Sequence, residues 1–325
     1  MNRRSSCLFA LFTAVAIAAV GCSEDGPIEG GTKGGPEKAS GAGGAGGGET
    51  AVAALPPATP AAFDVVALGE NNQLFFFKSD DPGSVKQGEI TGADDAFEGI
   101  DVRSSDGRLY GLTAGGKLYQ IDLDVSGNAI VAEAVDGAQV GDLAVGEGGV
   151  AFDFNPKSKV EPDQGNALRV ITTGDNYRLN PVTAKIAGTD TALAYKAGDD
   201  NEGAEPQVVA AGYLNAYAGT ATTVLYDVDA GVDALVKQGD PDPNLGVLTT
   251  VGPLGIDVGD VAGFDIVTTS NPQSKALVNA AFLVNDDTFY EVDLATGEAT
   301  EIGPIDGASA LRGLAVLPPR AASSR

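Results

Sequence analysis

Gly99-Ile100-Asp101-Val102, Ala151-Phe152-Asp153-Phe154 and Gly263-Phe264-Asp265-Ile266 repeat one pattern: a small residue, an apolar one, Asp, and another apolar one. Each run is short, apolar and bounded by turn-forming residues, which reads as a buried strand. A second pattern follows about 16 to 27 residues later and ends in Asp or Asn, as in Leu118 to Asp122, Tyr177 to Asn180, Leu225 to Asp229 and Phe289 to Asp293. Leu74 to Lys78 is the same element near the N-terminus. Turn signals sit between the runs at Asp106-Gly107, Gly115-Gly116 and Thr296-Gly297. No segment carries a convincing amphipathic helical period.

Measured at residues 78, 122, 180, 229 and 293, the second pattern recurs at spacings of 44, 58, 49 and 64. Repeats of about 40–50 residues with four strands each are the signature of propeller blades, with surplus residues placed in loops. The two ends agree. Leu311 to Val316 has the first pattern with nothing after it, whereas the segment from Phe63 has the later strands with no first one. Joining them completes a blade and covers a bare edge strand. The expected fold is therefore all-β: a single β-propeller over residues 63–318, closed by the C-terminal strand completing the first blade. Five blades are expected, six if Thr189 to Ala216 conceals another, with a pair of β-sandwiches as the alternative.

Composition removes many chemistries. The chain has no histidine and no tryptophan, and its two cysteines are Cys7 and Cys22. Ser-His-Asp and Cys-His catalysis, zinc or copper sites of nitrogen or sulfur type, and haem with a His or Cys axial ligand are all excluded. No cofactor is expected. Oxygen-ligated Ca²⁺ remains open, as does carboxylate-pair chemistry. The net charge of −25 repels phosphate backbones, which argues against a nucleic-acid partner.

The N-terminus reads as an address. Arg3 and Arg4 precede an apolar run of 13 residues, Leu8 to Val20, broken only by Thr13. That is short of the roughly 20 residues of a spanning helix and suits a cleaved signal. Ala19-Val20-Gly21-Cys22 resembles the lipobox of bacterial lipoproteins, which implies cleavage after residue 21, lipidation at Cys22 and export through the secretory pathway. Ser23, rather than Asp, stands where the family places its inner-membrane retention signal, so the resemblance implies an outer-membrane or cell-surface lipoprotein. Residues 22–62 then form a glycine-rich tether. Its Ser23 to Ala61 portion has 11 glycines in 39 residues, with a flexible reach of roughly 35 Å. Loss of Arg3 and Arg4 with the signal takes the charge to −27. Residues 319–325 are expected to be a disordered tail.

A wider resemblance runs through the repeat. Phe152-Asp153-Phe154-Asn155-Pro156, Asn176-Tyr177-Arg178-Leu179-Asn180-Pro181, Thr222 to Asp229 and Gly263-Phe264-Asp265-Ile266 resemble the core of an uncharacterised secreted bacterial family defined by a domain of unknown function. The likeness spans nearly all of residues 64 to 316. It implies a repeat-built β domain and no particular activity. Lys157 to Asn166, the lipobox and the tether depart from the family pattern.

Three groups stand out as candidate sites. Asp101, Asp153 and Asp265 occupy equivalent repeat positions and are candidates for a carboxylate ring near an axis. The competing reading is that each accepts backbone N–H groups and locks neighbouring blades. Asp199, Asp200 and Asn201 form an acidic loop inside the family pattern. Asp240 to Asn244 and Asn285 to Asp287 are further acidic loops, without calcium-loop spacing. Arg169 and Arg178 are candidates to clamp a carboxylate or to form structural ion pairs. No catalytic or metal-binding residue is assigned. The expected function is non-enzymatic binding or scaffolding towards an extracellular protein or glycan, with the membrane reached through the lipid. A carboxylate-based, Ca²⁺-assisted glycan hydrolase or lyase is the alternative. Cys22→Ala is expected to move the protein from the membrane to the soluble fraction, and unchanged fractionation would remove the lipid anchor.

Overall fold

In the computed structural model, the described residues run from 58 to 319, with residue 55, and omit 124–129, 140–142, 144, 146–147, 158–166, 173–174 and 240–241. The signal, Cys22 and most of the tether lie outside them, as do nearly all of the 157–166 insertion and the tail after residue 319. Among the described residues the fold is all-β, and the only helix is two single 3₁₀ turns, Glu70–Asn72 and Pro243–Leu245.

The strands fall into consecutive groups, antiparallel except where Ala194–Tyr195 pairs parallel with Val247–Leu248. The first contains β1 (Asp64–Leu68), β2 (Gln73–Lys78) and β3 (Asp81–Thr91), and the second β4 (Phe97–Arg103), β5 (Arg108–Thr113), β6 (Lys117–Asp122) and β7 (Ile130–Gln139). A four-stranded sheet follows: β8 (Ala151–Phe154), β9 (Leu168–Thr172), β10 (Asp175–Asn180) and β11 (Lys185–Thr189). Next come β12 (Ala194–Tyr195), β13 (Val208–Tyr213), β14 (Leu225–Asp229), β15 (Ala234–Gln238) and β16 (Val247–Pro253), which form one sheet. The last sheet is β17 (Ala262–Ser270), β18 (Leu277–Asn285), β19 (Thr288–Val292) and β20 (Ala299–Pro304). Finally β21 (Gly313–Leu317) returns to β1.

That return joins the two ends of the domain. β21 pairs antiparallel with β1 from Asp64↔Leu317 to Leu68↔Gly313. With β21, the first two groups merge into one eight-stranded sheet, but the seam between them is a parallel pairing of only two residues, Ile90↔Ile130 and Thr91↔Val131. Segment 189–216 adds β12 and β13 to the sheet of β14–β16 and forms no sheet of its own.

One strand from each group lines a common centre. β21 packs on β4, β4 on β8, β8 on β13, β13 on β17, and β17 back on β21. Between successive groups lie separate apolar clusters. Phe63, Phe77, Phe282 and Phe289 fill one, and Phe97, Tyr119 and Ile121 another. Phe152, Phe154 and Tyr110 fill a third, Tyr226, Phe264 and Leu283 a fourth, and Tyr195, Tyr213 and Val236 a fifth. Each sheet buries both faces against its neighbours, so burial along the strands is often continuous rather than alternating. β17 is buried at all nine positions.

The recurring Gly before Asp has a steric cause. A Cβ on Gly263 would stand 2.5 Å from the Gly313 carbonyl carbon, and one on Gly99 would stand 2.8 Å from the Phe152 Cβ. The inner strands therefore approach too closely for a side chain at this level. Gly263→Ala is expected to destabilise the domain by about 1–3 kcal/mol, because backbone must move to admit the methyl group. Gly83→Ala has open space around it and a backbone that any residue adopts, so it should stay within about 0.5 kcal/mol of the parent. Thermal melts of the two variants check the contrast.

Candidate functional site

The three repeat-position aspartates meet at the centre. Asp101, Asp153 and Asp265 come from β4, β8 and β17, and one carboxylate oxygen of each lies within 4.8 Å of the others. All three side chains are buried. Phe154 N–H donates to Asp101 Oδ2 at 2.8 Å, and Val316 N–H donates to Asp265 Oδ2 at 2.6 Å. Tyr213 N–H donates to Asp153. Each Asp thus accepts from the next inner strand, one residue beyond the level of its own counterpart. By that register Gly212 in β13 and Ala315 in β21 occupy the two remaining positions.

Electrostatics follow from this crowding. Burial pushes the Asp101 carboxyl well above the usual range, and the neighbouring Asp265 charge adds to the shift. Asp153 is raised for the same reason, first by burial and then by Asp101 and Asp265. Asp265 is pushed up to about 6 by burial, against two backbone N–H bonds that pull it down. Ca²⁺ takes about 6–8 oxygen ligands. The cluster offers three carboxylates already accepting backbone N–H groups, so it lacks most of such a shell.

The carboxylates lie beside a cavity of about 190 Å³ whose lining also includes Thr268, Tyr217 and Val316. The loop after β13 is pinned over β17 at this rim, with Ala216 N–H donating to Thr268 Oγ1 at 2.8 Å and Asn215 N–H to Asn279 Oδ1 at 3.1 Å. Nearer the starts of the inner strands, residues such as Ile100, Phe152, Phe264 and Leu314 leave a void of only about 10 Å³, room for one water at most.

The other candidates sit elsewhere. Asp199, Asp200 and Asn201 belong to the loop between β12 and β13, and none lines the axial cavity. Asp199 accepts from Thr250 N–H at 2.9 Å and Thr250 Oγ1 at 2.6 Å, and Asn201 Nδ2 donates to Thr250 Oγ1. Burial pushes the Asp199 carboxyl up, but these bonds prevail and hold it below its usual value. Asn180, Asp229 and Asp293 cap turns through bonds from Val182, Gly231 and Ala295 N–H. Asp240 lies outside the described residues. Asp286 and Asn285 accept backbone N–H groups from Ala310 and Gly259.

Arg169 builds a second buried polar cluster, between the β8–β11 and β12–β16 sheets. Its guanidinium donates to Asp190 Oδ2 at 2.6 Å, Asn176 Oδ1 at 2.6 Å, Asn244 Oδ1 at 2.7 Å and the Tyr213 hydroxyl at 3.4 Å. Arg178 joins Asp190 at 2.8 Å. Burial raises the Asp190 carboxyl, and the two arginines outweigh it, leaving the group below its usual value. Asp227 is fully buried within electrostatic reach of Arg169 with both oxygens unpaired, and Gln238 Oε1, on β15 opposite Leu225, is also unpaired. Nothing in the strand pattern Leu225 to Asp229 marked Asp227, because an alternating apolar run does not reveal which neighbour its polar member faces.

The chain belongs to the family described as Domain of unknown function (DUF4394), whose model matches residues 73–315. No curated protein matches it. Among solved structures it is similar to a chain of a nidogen/laminin complex, at 12% identity and a TM-score of 0.40, over 81% of this chain and 88% of that one. PorZ, a surface component of the type-IX secretion system of Porphyromonas gingivalis, matches at 14% identity and a TM-score of 0.36, over 83% of this chain but 35% of that one. A structural-genomics protein of unknown function from Bacteroides thetaiotaomicron VPI-5482 matches at 12% identity and a TM-score of 0.39, over 76% and 57% of the two chains.

Removing the Arg169 guanidinium leaves Asp190 short of a buried partner and three further acceptors unsatisfied. Arg169→Met is therefore expected to cost about 3–5 kcal/mol, read as a lower denaturant midpoint with an unchanged slope.

Proposed function

We propose that the domain is a five-bladed β-propeller, with β21 completing the blade of β1–β3, and that it acts as a non-enzymatic binding module. The cyclic order of β21, β4, β8, β13 and β17, with an apolar cluster between each successive pair of groups, supports the architecture. Placement at the outer membrane or cell surface, through lipid on Cys22, completes the reading and rests on the lipobox.

The observation that carries the binding role is the axial cavity with three carboxylates at its side. Such a lining suits a primary amine on an extracellular protein or glycan, which supplies N–H donors and positive charge. The same geometry weighs against hydrolysis. A glycosidase pair stands about 5–9.5 Å apart across its substrate, whereas these oxygens lie within 4.8 Å and hold the neighbouring strands.

Glucosamine and N-acetylglucosamine, titrated by calorimetry into the full chain, separate the outcomes. Binding of the amine but not the acetamide, lost in Asp153→Asn, is expected. Equal binding of both, or of neither, overturns the amine reading. Release of reducing ends from a polysaccharide by the wild type would replace it with the enzymatic one.

A further inference from the structure

We propose that Asp101, Asp153 and Asp265 form a proton-operated lock at the centre of the fold: they hold protons when the inner strands are tightly packed, and losing those protons on alkalinisation weakens the packing. The lock stands or falls independently of whether the cavity takes an amine.

Geometry is the first support. Three carboxylate oxygens lie within 4.8 Å in buried surroundings, on strands from three different groups. Like charges so close and out of water repel one another strongly, so the buried carboxyls keep protons that ordinary aspartates would lose. The lock also sits where the strands are joined, since Asp265 receives the N–H of Val316 on the closing strand and Asp101 that of Phe154.

The second support is the set of charges around the cluster. β21 presents Ala315 and Val316, neither charged, and β13 presents Gly212 and Tyr213. The Tyr213 hydroxyl accepts from Arg169 Nε. Asp227 on β14, whose own carboxyl burial pushes well above the usual range, is a further acid within electrostatic reach of Asp153. Arg169 on β9 is engaged by Asp190, Asn176 and Asn244. Arg103, further along β4, bonds Asp106, and Arg312, just before β21, bonds Glu98. Among the described residues, these cations are thus engaged by other acceptors, and a proton can balance the cluster.

The sign follows. All three carboxyls bind protons more tightly in the folded chain than at the ordinary aspartate value of 3.8, with Asp265 near 6 and the other two also raised. Their contribution to stability is complete below that ordinary value and drains away as the pH rises through about 6 and upward.

Thermal melts of the full chain at pH 5 and pH 8 test this, comparing wild type with Asp101→Asn, Asp153→Asn and Asp265→Asn. Asn keeps an acceptor for the backbone N–H and carries no charge at either pH. Relative to wild type, the variants are expected to gain about 5 °C or more between pH 5 and pH 8. An identical difference at both pH values overturns the lock. Should the variants fail to fold, ¹³C titration of the wild-type aspartate carboxyls decides. Triad resonances that move between pH 5 and 8 support it, and three carboxylates already ionised at pH 5 refute it.

Discussion

Everything in this fold depends on how closely the inner strands approach one another. Five strands from successive groups share one centre, and the space between neighbours is so small that Gly263 meets the backbone of Gly313 with no room for a methyl group. At such range the strands do not form a ladder. Their remaining N–H groups need acceptors, and buried donors without partners are costly. Asp101, Asp153 and Asp265 supply them. A short carboxylate is long enough to reach the next strand and small enough to fit.

This solution creates its own tension. The side chains that satisfy the backbone are acids, and the same closeness crowds their charges. Hydrogen bonding favours the ionised form, while burial and mutual repulsion oppose it. The opposing terms prevail at all three positions. Gly212 and Ala315 at the other two register positions keep the crowding from growing worse. The same three side chains therefore bond the inner strands and crowd acidic groups along the cavity wall.

Around the centre, stability is distributed. Each sheet is sandwiched by its neighbours, and each apolar cluster draws on two groups of strands. The two ends of the domain are joined because β21 pairs with β1 in register over five residues. Polar seams punctuate the apolar ones, most heavily at Arg169, which ties Asp190, Asn176, Asn244 and Tyr213 together. Buried polar networks of this kind add little net stability, but they penalise any other arrangement of the two sheets.

Much of this was legible in the chain. The strands Gly99 to Val102, Ala151 to Phe154 and Gly263 to Ile266 announce themselves, because close approach demands Gly or Ala and the neighbour's N–H demands Asp. Turn chemistry was equally plain, since Gly107, Gly116 and Gly297 adopt the left-handed conformation at the expected turns. The missing histidines decided which chemistries are closed to the domain. β13 was not legible, because Val208 to Tyr213 carries Gly212 where β4, β8 and β17 carry Asp. Nor could the sequence tell that Asp199 and Asn201 would bond Thr250, or that Asp227 would be left unpaired. Strand periodicity and turn chemistry are local, so single residues reveal them. Which carboxylates share a cavity, and which keep their protons, depends on strands some 50 to 160 residues apart coming within a few ångströms, as Asp101, Asp153 and Asp265 do, and only the folded chain brings them together.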